Sequence, residues 1–296
     1  MKHIGGFTMK KIAYVADSSI GITLKDQASY PDLYIAPLSI IHNGKEYIDQ
    51  IDLSEDDVNA ILRKNDLVQT SQPNVGTCIN LFKEIIAKGY EEILVFSLSS
   101  FLSGTFNSFS AAKDDLNFSN IHVIDSLSIA GAVQEGILTA QRLNEHGKSI
   151  DEIIVAIQDY YKDTISYVIP ETLNQLKASG RISPAASAVA SMLKMKVLLR
   201  LENGGETIEK FATARTDKKL LDTMNKDLES FGFDPKIHKI YLLHSDGLEP
   251  LNTIKESLLA HFGEIETTIG LLPAAVSGHA GIGTVAVQLV RKASTY

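Results

Sequence analysis

The chain has little cysteine: one residue, Cys78, in 296. That excludes an internal disulfide framework and fits a reducing compartment. It also lacks a positive excess, with 28 Lys and Arg against 36 Asp and Glu, a formal net charge of −8 and a pI near 5.5. Repulsion of that sign argues against nucleic acid as a partner. No run of about 18 apolar residues occurs, so no membrane span is expected. The eight histidines are scattered without HExxH or Cys–His spacing, so neither a metal site nor a cofactor is implied. Low-complexity tracts and short repeats are absent. What is present is core material: 44% hydrophobic and 22% charged residues, with mean hydropathy +0.03. This is a globular profile long enough for two domains. Met1–Thr8 lacks the apolar centre of a secretory signal and reads as a tag or alternative start before Met9. The expectation is a cytoplasmic protein.

Patterning alternates between strand and helix. Lys11–Ala16 is a short apolar run ending in the turn residues Asp17, Ser18 and Ser19. In Leu33–Asp52, Asn43-Gly44 between two β-rich segments predicts a hairpin. Ser54 is positioned to cap a helix, Val75–Lys88 has helical periodicity stopped by Gly89, and EEILVFSLSS predicts a strand through Ser97. A helix from Gly104, a strand ending at Asp125, a long helix over Ser126–Glu145 and another capped by Ser149 or Asp151 follow. ISYVI predicts a further strand. Such alternation predicts an α/β fold, here a mostly parallel sheet with helices on both faces. Later, Pro170–Ser179 and Pro184–Leu193 read as short helices around Gly180-Arg181. MKVLLRLENGGETIEKFAT reads as a hairpin turning at Asn203-Gly204-Gly205. A helix, a strand, a helix and two closing strands complete a smaller C-terminal α/β lobe. The division expected is residues 9–168 and 169–296, with a ligand cleft between the lobes.

Several catalytic motifs fail on inspection. Gly147-Lys148-Ser149 resembles the end of a phosphate loop, but Arg142 occupies the required glycine position. Gly281-Ile282-Gly283-Thr284-Val285-Ala286 fits a dinucleotide fingerprint, yet lies too near the chain end for the helix, strand and acid that must follow. No serine has a Gly-x-Ser-x-Gly context, although Ser103, Asp125 and His279 could in principle form a triad.

Three polar loops remain: Thr70-Ser71-Gln72-Pro73 at a helix start, Ser99–Thr105 between strand and helix, and Ser277–Gly281 between the last two strands. Taken singly, each hydroxyl is explained as a helix cap. Together, two of them offer hydroxyls and free N–H groups at helix starts, where anions are favoured, and Gly104 would let a ligand approach the backbone. Neither of these two loops contains Lys or Arg, which suits a single carboxylate better than a phosphate dianion.

In order and spacing, the chain from Met9 resembles the DegV family of bacterial fatty acid-binding proteins. The resemblance is carried by VADSS (Val15–Ser19), PLSI with NGKEYID, TSQP (Thr70–Pro73) and LSGTFNS (Leu102–Ser108). It continues with VIDS (Val123–Ser126), ETLNQLKASGRIS (Glu171–Ser183), Ala214-Arg215-Thr216 and Gly278-His279-Ala280-Gly281. The chain departs from the family's usual pattern with Ser179-Gly180-Arg181 for Gly-Gly-Arg, with no proline near Val197, and with Ala280 and Ile282 where threonine and proline are common. The resemblance implies a two-lobed fold holding a long-chain fatty acid in an internal tunnel, its carboxylate presented to a separate fatty acid kinase for conversion to acyl phosphate. It implies ligand contacts from Thr70, Ser103 and His279, with Arg181 at the mouth, and kinase contacts from Arg181 and Arg215. Ser71, Gly104 and Thr105 join the candidate ligand set as neighbours in the same loops.

The energetics fit. A carboxylate held by neutral donors anchors weakly, whereas each buried CH₂ contributes about 0.8 kcal/mol, roughly 10 kcal/mol gross for a 16-carbon tail. Ile129, Phe106, Met192 and Leu193 are candidate wall residues. Two other readings stand at this level: a serine hydrolase or acyltransferase using Ser103 and His279, and a carrier of another lipophilic carboxylate.

Overall fold

The computed structural model describes residues 3–4, 7–8, 10–23, 25–188, 195–202 and 204–296. His3–Ile4 (β1) and Phe7–Thr8 (β2) pair as a short antiparallel ribbon.

A four-stranded parallel sheet follows, in order β4-β3-β8-β9, from Ile12–Asp17 (β3), Leu33–Ala36 (β4), Glu92–Ser97 (β8) and Ile121–Asp125 (β9). Every residue of β3 is buried because the sheet is covered on both faces. Ile12, Tyr14 and Ala16 pack with Val133 and Ile137 of helix α4 (Gly131–Glu145) and Ile153 and Ile157 of α5 (Ile150–Lys162). Ala13 and Val15 face Cys78, Phe82 and Ile85 of α2 (Val75–Ala87) and Phe109 of α3 (Thr105–Asp115). The chain leaves β3 toward β4, then crosses to β8 on its other side. Loops at the carboxyl ends of β3 and β8 therefore diverge and open a crevice, the usual ligand position in such sheets.

Ser39–His42 (β5), Lys45–Ile48 (β6) and Gln69–Ser71 (β7) form a small antiparallel sheet, order β6-β5-β7. Its hairpin turns at Asn43 and Gly44, with φ of 51° and 74°. Both central residues are left-handed, the demand that an Asn-Gly pair meets at least cost. Glu55–Leu62 (α1) begins with Ser54 and Asp57 in a reciprocal capping box.

The six-stranded sheet has order β12-β11-β10-β15-β13-β14. Its strands are Ile165–Ile169 (β10), Lys196–Glu202 (β11), Thr207–Ala214 (β12), His238–His244 (β13), Thr267–Leu271 (β14) and Val285–Arg291 (β15). Asp217–Phe231 (α8) and Leu248–Phe262 (α9) cover one face through Leu220, Met224, Leu251 and Leu258. Part of the opposite face meets the first lobe through Ala130, Ala132, Tyr160, Tyr241, Ala280 and Ala286. Short helices Asn174–Ser179 (α6), Pro184–Ala188 (α7) and Ala274–Ala280 (α10) border the gap between the sheets.

Some expectations shift. Ile165–Ile169 pairs wholly within the second sheet, so a division at residue 168 cuts through a strand that belongs to the C-terminal layer. The long helix starts at Gly131, not Ser126, because local side chains capture the intervening backbone: Ser128 N–H donates to Ser126 Oγ and Leu127 N–H to Asp125. Within this loop Leu127 and Ala130 take positive φ, 50° and 55°. Thr70-Ser71 lies on a strand and the following helix is capped by Asn74; Ser277–Ala280 is helical, not loop. Met192, Leu193 and Asn203 lie outside the described residues.

Candidate functional site

The crevice is closed into a cavity by the six-stranded sheet and α10. Counting its open part, the space between these walls amounts to about 940 Å³. Its wall is mostly apolar: Leu38, Leu98, Leu102, Ile129, Leu272 and Ala275 on one side, Val168, Leu201, Ile208 and Ala286 of the sheet on the other.

The VADSS loop stitches this wall. Asp17 is wholly buried and accepts hydrogen bonds from Ser19 N–H (3.0 Å) and Leu98 N–H (3.0 Å), tying the ends of β3 and β8 together. Burial pushes its carboxyl above the ordinary range. Ser18 Oγ donates to Asp49 (2.6 Å) and accepts from Leu38 N–H (3.0 Å). Ser19 itself lines the cavity with its hydroxyl unpartnered.

Of the candidate ligand contacts named from the sequence, Thr70, Ser103, Arg181 and His279 reach the cavity. Thr70 Oγ1 and His279 Nε2 lie 2.7 Å apart, joining β7 to α10. The imidazole is surrounded by protein but faces the cavity. Burial, reinforced by the nearby Arg181 charge, pushes its pKa down to about 4, so the ring is neutral near pH 7. Its Nδ1 is buried and unpartnered. Ser103 Oγ lies 2.9 Å from Thr105 Oγ1 and accepts weakly from Thr105 N–H (3.3 Å). With Thr105 donating on both counts, the Ser103 hydrogen is free to point at a ligand. Arg181 Nε donates to Leu102 O (3.3 Å) and its terminal nitrogen to Ser179 O. No carboxylate pairs with the Arg181 guanidinium among the described residues, leaving it available to an anion.

Leu102, Ser103 and Arg181 also line a shallow surface depression with Ser100, Phe101, Gly104, Ile182, Glu206 and Thr207. These three residues, common to the cavity and the depression, thus form the partition between interior and solvent, with Ser103 and Arg181 as its polar members.

The remaining candidates lie elsewhere. Ser71 alternates away from Thr70 along the strand and does not line the cavity. Thr105 is buried behind Ser103. Gly104 is on the outer side, and the space beside it is filled: a Cβ there would come within 2.8 Å of the Gln72 side chain. Its small size serves the packing of TSQP against α3, not close approach of a ligand. Arg215 is exposed at the end of β12, eight residues beyond Thr207 or roughly 26 Å of extended strand. Ile129 lines the cavity, whereas Phe106 borders a separate depression. Ser19, Leu38 and the α10 residues Ala275 and Val276 were not singled out as ligand contacts. Only the serine adjoining Asp17 at a strand end gave a signal for them.

A hydrolase triad does not form. Asp125 accepts from Ser100 and Leu127 N–H groups, Ser103 bonds to Thr105 and His279 to Thr70. Among the described residues no carboxylate orients the imidazole, because Nδ1 finds no partner there. No group of three or more metal-ligating side chains, and no helix long and apolar enough to cross a membrane, occurs among the described residues.

Comparison with known proteins bears on this geometry. A DegV domain-containing protein of Clostridium perfringens is 32% identical over 94% of this chain and 97% of its own. The crystal structure of DegV from Bacillus subtilis, a fatty acid binding protein, is 27% identical with a TM-score of 0.81, covering 96% of this chain and 100% of that one. A DegV family protein from Eubacterium eligens loaded with heptadecanoic acid is 25% identical, also with a TM-score of 0.81, over 95% and 100% of the two chains. The family model described as "Uncharacterised protein, DegV family" matches residues 11–292. With nearly the whole length matched in both sequence and fold, the chain belongs to the DegV family.

Proposed function

We propose that this protein binds one long-chain fatty acid in the cavity and presents its carboxylate, through the Leu102–Ser103–Arg181 partition, to a separate fatty acid kinase. The observation that carries the reading is a mostly apolar cavity with Ser103 and Arg181 on the wall it shares with the surface. The fatty acid binding stated for the Bacillus protein and the heptadecanoic acid of the Eubacterium protein support the ligand class. In this arrangement His279 Nε2–H donates to Thr70, whose own hydrogen then points to the carboxylate; Ser103 donates a second bond. The neutral imidazole leaves Nδ1 as a bare lone pair, cheaper to bury than an unpaired N–H⁺. Arg181 offsets the negative charge that gathers when ATP phosphates approach the carboxylate. A carboxylate oxygen then attacks the γ-phosphorus, ADP departs, and the acyl phosphate is released by the kinase's chemistry, not by a residue of this chain.

The test is solvent extraction of the purified protein followed by mass spectrometry, with stoichiometric titration of the delipidated form. One equivalent of a long-chain monocarboxylic acid is expected. A delipidated protein that takes up no palmitic acid overturns the reading.

A further inference from the structure

The cavity wall is not uniformly apolar. Gln288 on β15 and Ser166 on β10 are directly paired across the sheet, and both line the cavity at 1% and 6% exposure. Gln288 Nε2 donates to Ile129 O (3.0 Å) and to Ser166 Oγ (2.9 Å). Those two contacts fix the amide's orientation, since a flipped group would set its oxygen against the Ile129 carbonyl. Gln288 Oε1 is left buried without a partner among the described residues. Ser166 accepts from the amide, and its own hydrogen has no acceptor among the described residues. The pair therefore turns one free acceptor and one free donor toward the cavity.

The sheet register gives the pair's place along the ligand. Gln288 pairs with Ser166; the register Tyr167↔Arg200 carries Ser166 to Leu201; Leu201 pairs with Ile208. Ile208 bridges to Ile182, next to Arg181 at the mouth. At the strand spacing of a sheet, Gln288 stands roughly 14 Å from Ile208 across this row. The pair thus lies well down the tail from the carboxylate. An alkyl chain filling this stretch would strand a carbonyl oxygen and a hydroxyl hydrogen against methylene, which is unfavourable.

We propose that Ser166 and Gln288 form an internal polar subsite that recognises a hydroxyl group partway along the acyl chain, making hydroxy fatty acids the preferred ligand class. A hydroxyl donates to Gln288 Oε1 and accepts from Ser166 Oγ, satisfying both groups. A ketone would satisfy only the serine. The inference rests on the fatty acid reading of the same cavity and names which members of that class fit.

The experiment compares stearic acid with its positional monohydroxy isomers on the delipidated protein by competition titration. At least one mid-chain isomer is expected to bind about tenfold more tightly than stearic acid. In Gln288→Leu and Ser166→Ala the ratio of that isomer to stearic acid falls to one or below. Isomers that all bind no more tightly than stearic acid overturn the subsite, including the case where a water occupies the pair in a stearic acid complex. If stearic acid and every isomer fail to bind the wild-type protein, the fatty acid reading itself falls. The wild-type comparison decides even if a variant does not fold.

Discussion

Removing the two hydroxyls at the polar end should separate head-group recognition from tail burial. Thr70→Val keeps the shape of the side chain and Ser103→Ala removes one oxygen. Each deletes a hydrogen bond to a carboxylate, an interaction contributing about 1.5–3 kcal/mol when sheltered. Both residues are only half-buried, so the lower figure applies, roughly tenfold in affinity per hydroxyl. Both hydroxyls donate to the same carboxylate, so their effects couple and the double variant should lose between about tenfold and a hundredfold. Binding should persist, because the tail contributes about 0.8 kcal/mol per buried CH₂. Native mass spectrometry of the acyl load and displacement of a fluorescent fatty acid by palmitic acid read the outcome, with thermal melts as the check on folding. Thr70→Ser should restore most of the loss. A folded double variant within twofold of wild type would mean that the carboxylate lies elsewhere.

The depressed His279 pKa makes the unliganded protein acid-sensitive. The unfolded ring titrates near 6.5 and the folded ring near 4, so the unfolded state binds the extra proton in that window. Stability is complete above 6.5 and declines as pH falls through 4, by on the order of 3 kcal/mol. Urea melts of His279→Gln should show a flatter profile between these pH values, and an unchanged slope would contradict the assignment. Asp49 behaves oppositely: burial raises its pKa from 3.8 to about 7, so stability is lost as pH rises across that interval. Asp49→Asn should gain on wild type progressively from pH 5 to pH 8 in the same melts; a constant difference would refute this. With a fatty acid kinase and ATP, Arg181→Ala should lower acyl phosphate formation more than acyl load. Arg215→Ala, exposed at the end of β12, should also lower the rate without changing acyl load, and an unchanged rate would remove it from the contact surface.

The sequence reveals most where local chemistry decides structure. Asn43-Gly44 demands its turn, Ser54 and Ser149 nucleate capping boxes with Asp57 and Glu152, and the apolar centres of β3 and β8, both fully buried, announce a sheet covered on both sides. It is opaque where tertiary contacts decide. Helix α10 has only seven residues, rich in alanine and glycine, and is held by packing against α1 and β7, so no amphipathic period marks it. The three-residue β7 exists because β5 offers it a ladder. Gly104 carries no sign that its neighbour is Gln72, a contact set by the relative placement of β7 and α3. The convergence of Thr70, Ser103, Arg181 and His279 spans four loop or element ends; only motif resemblance, not spacing, connects them in the sequence. The lone polar pair Ser166–Gln288 is invisible there, since 122 residues separate its members.

The orientation of the ligand is tested most directly by ¹³C NMR of delipidated protein loaded with palmitic acid labelled either at the carboxyl or at the terminal methyl. A single bound carboxyl resonance is expected, moving in Thr70→Val, Ser103→Ala and Arg181→Lys while the methyl resonance stays in place. A methyl signal that responds to those substitutions while the carboxyl signal does not would put the wrong end of the lipid at the mouth.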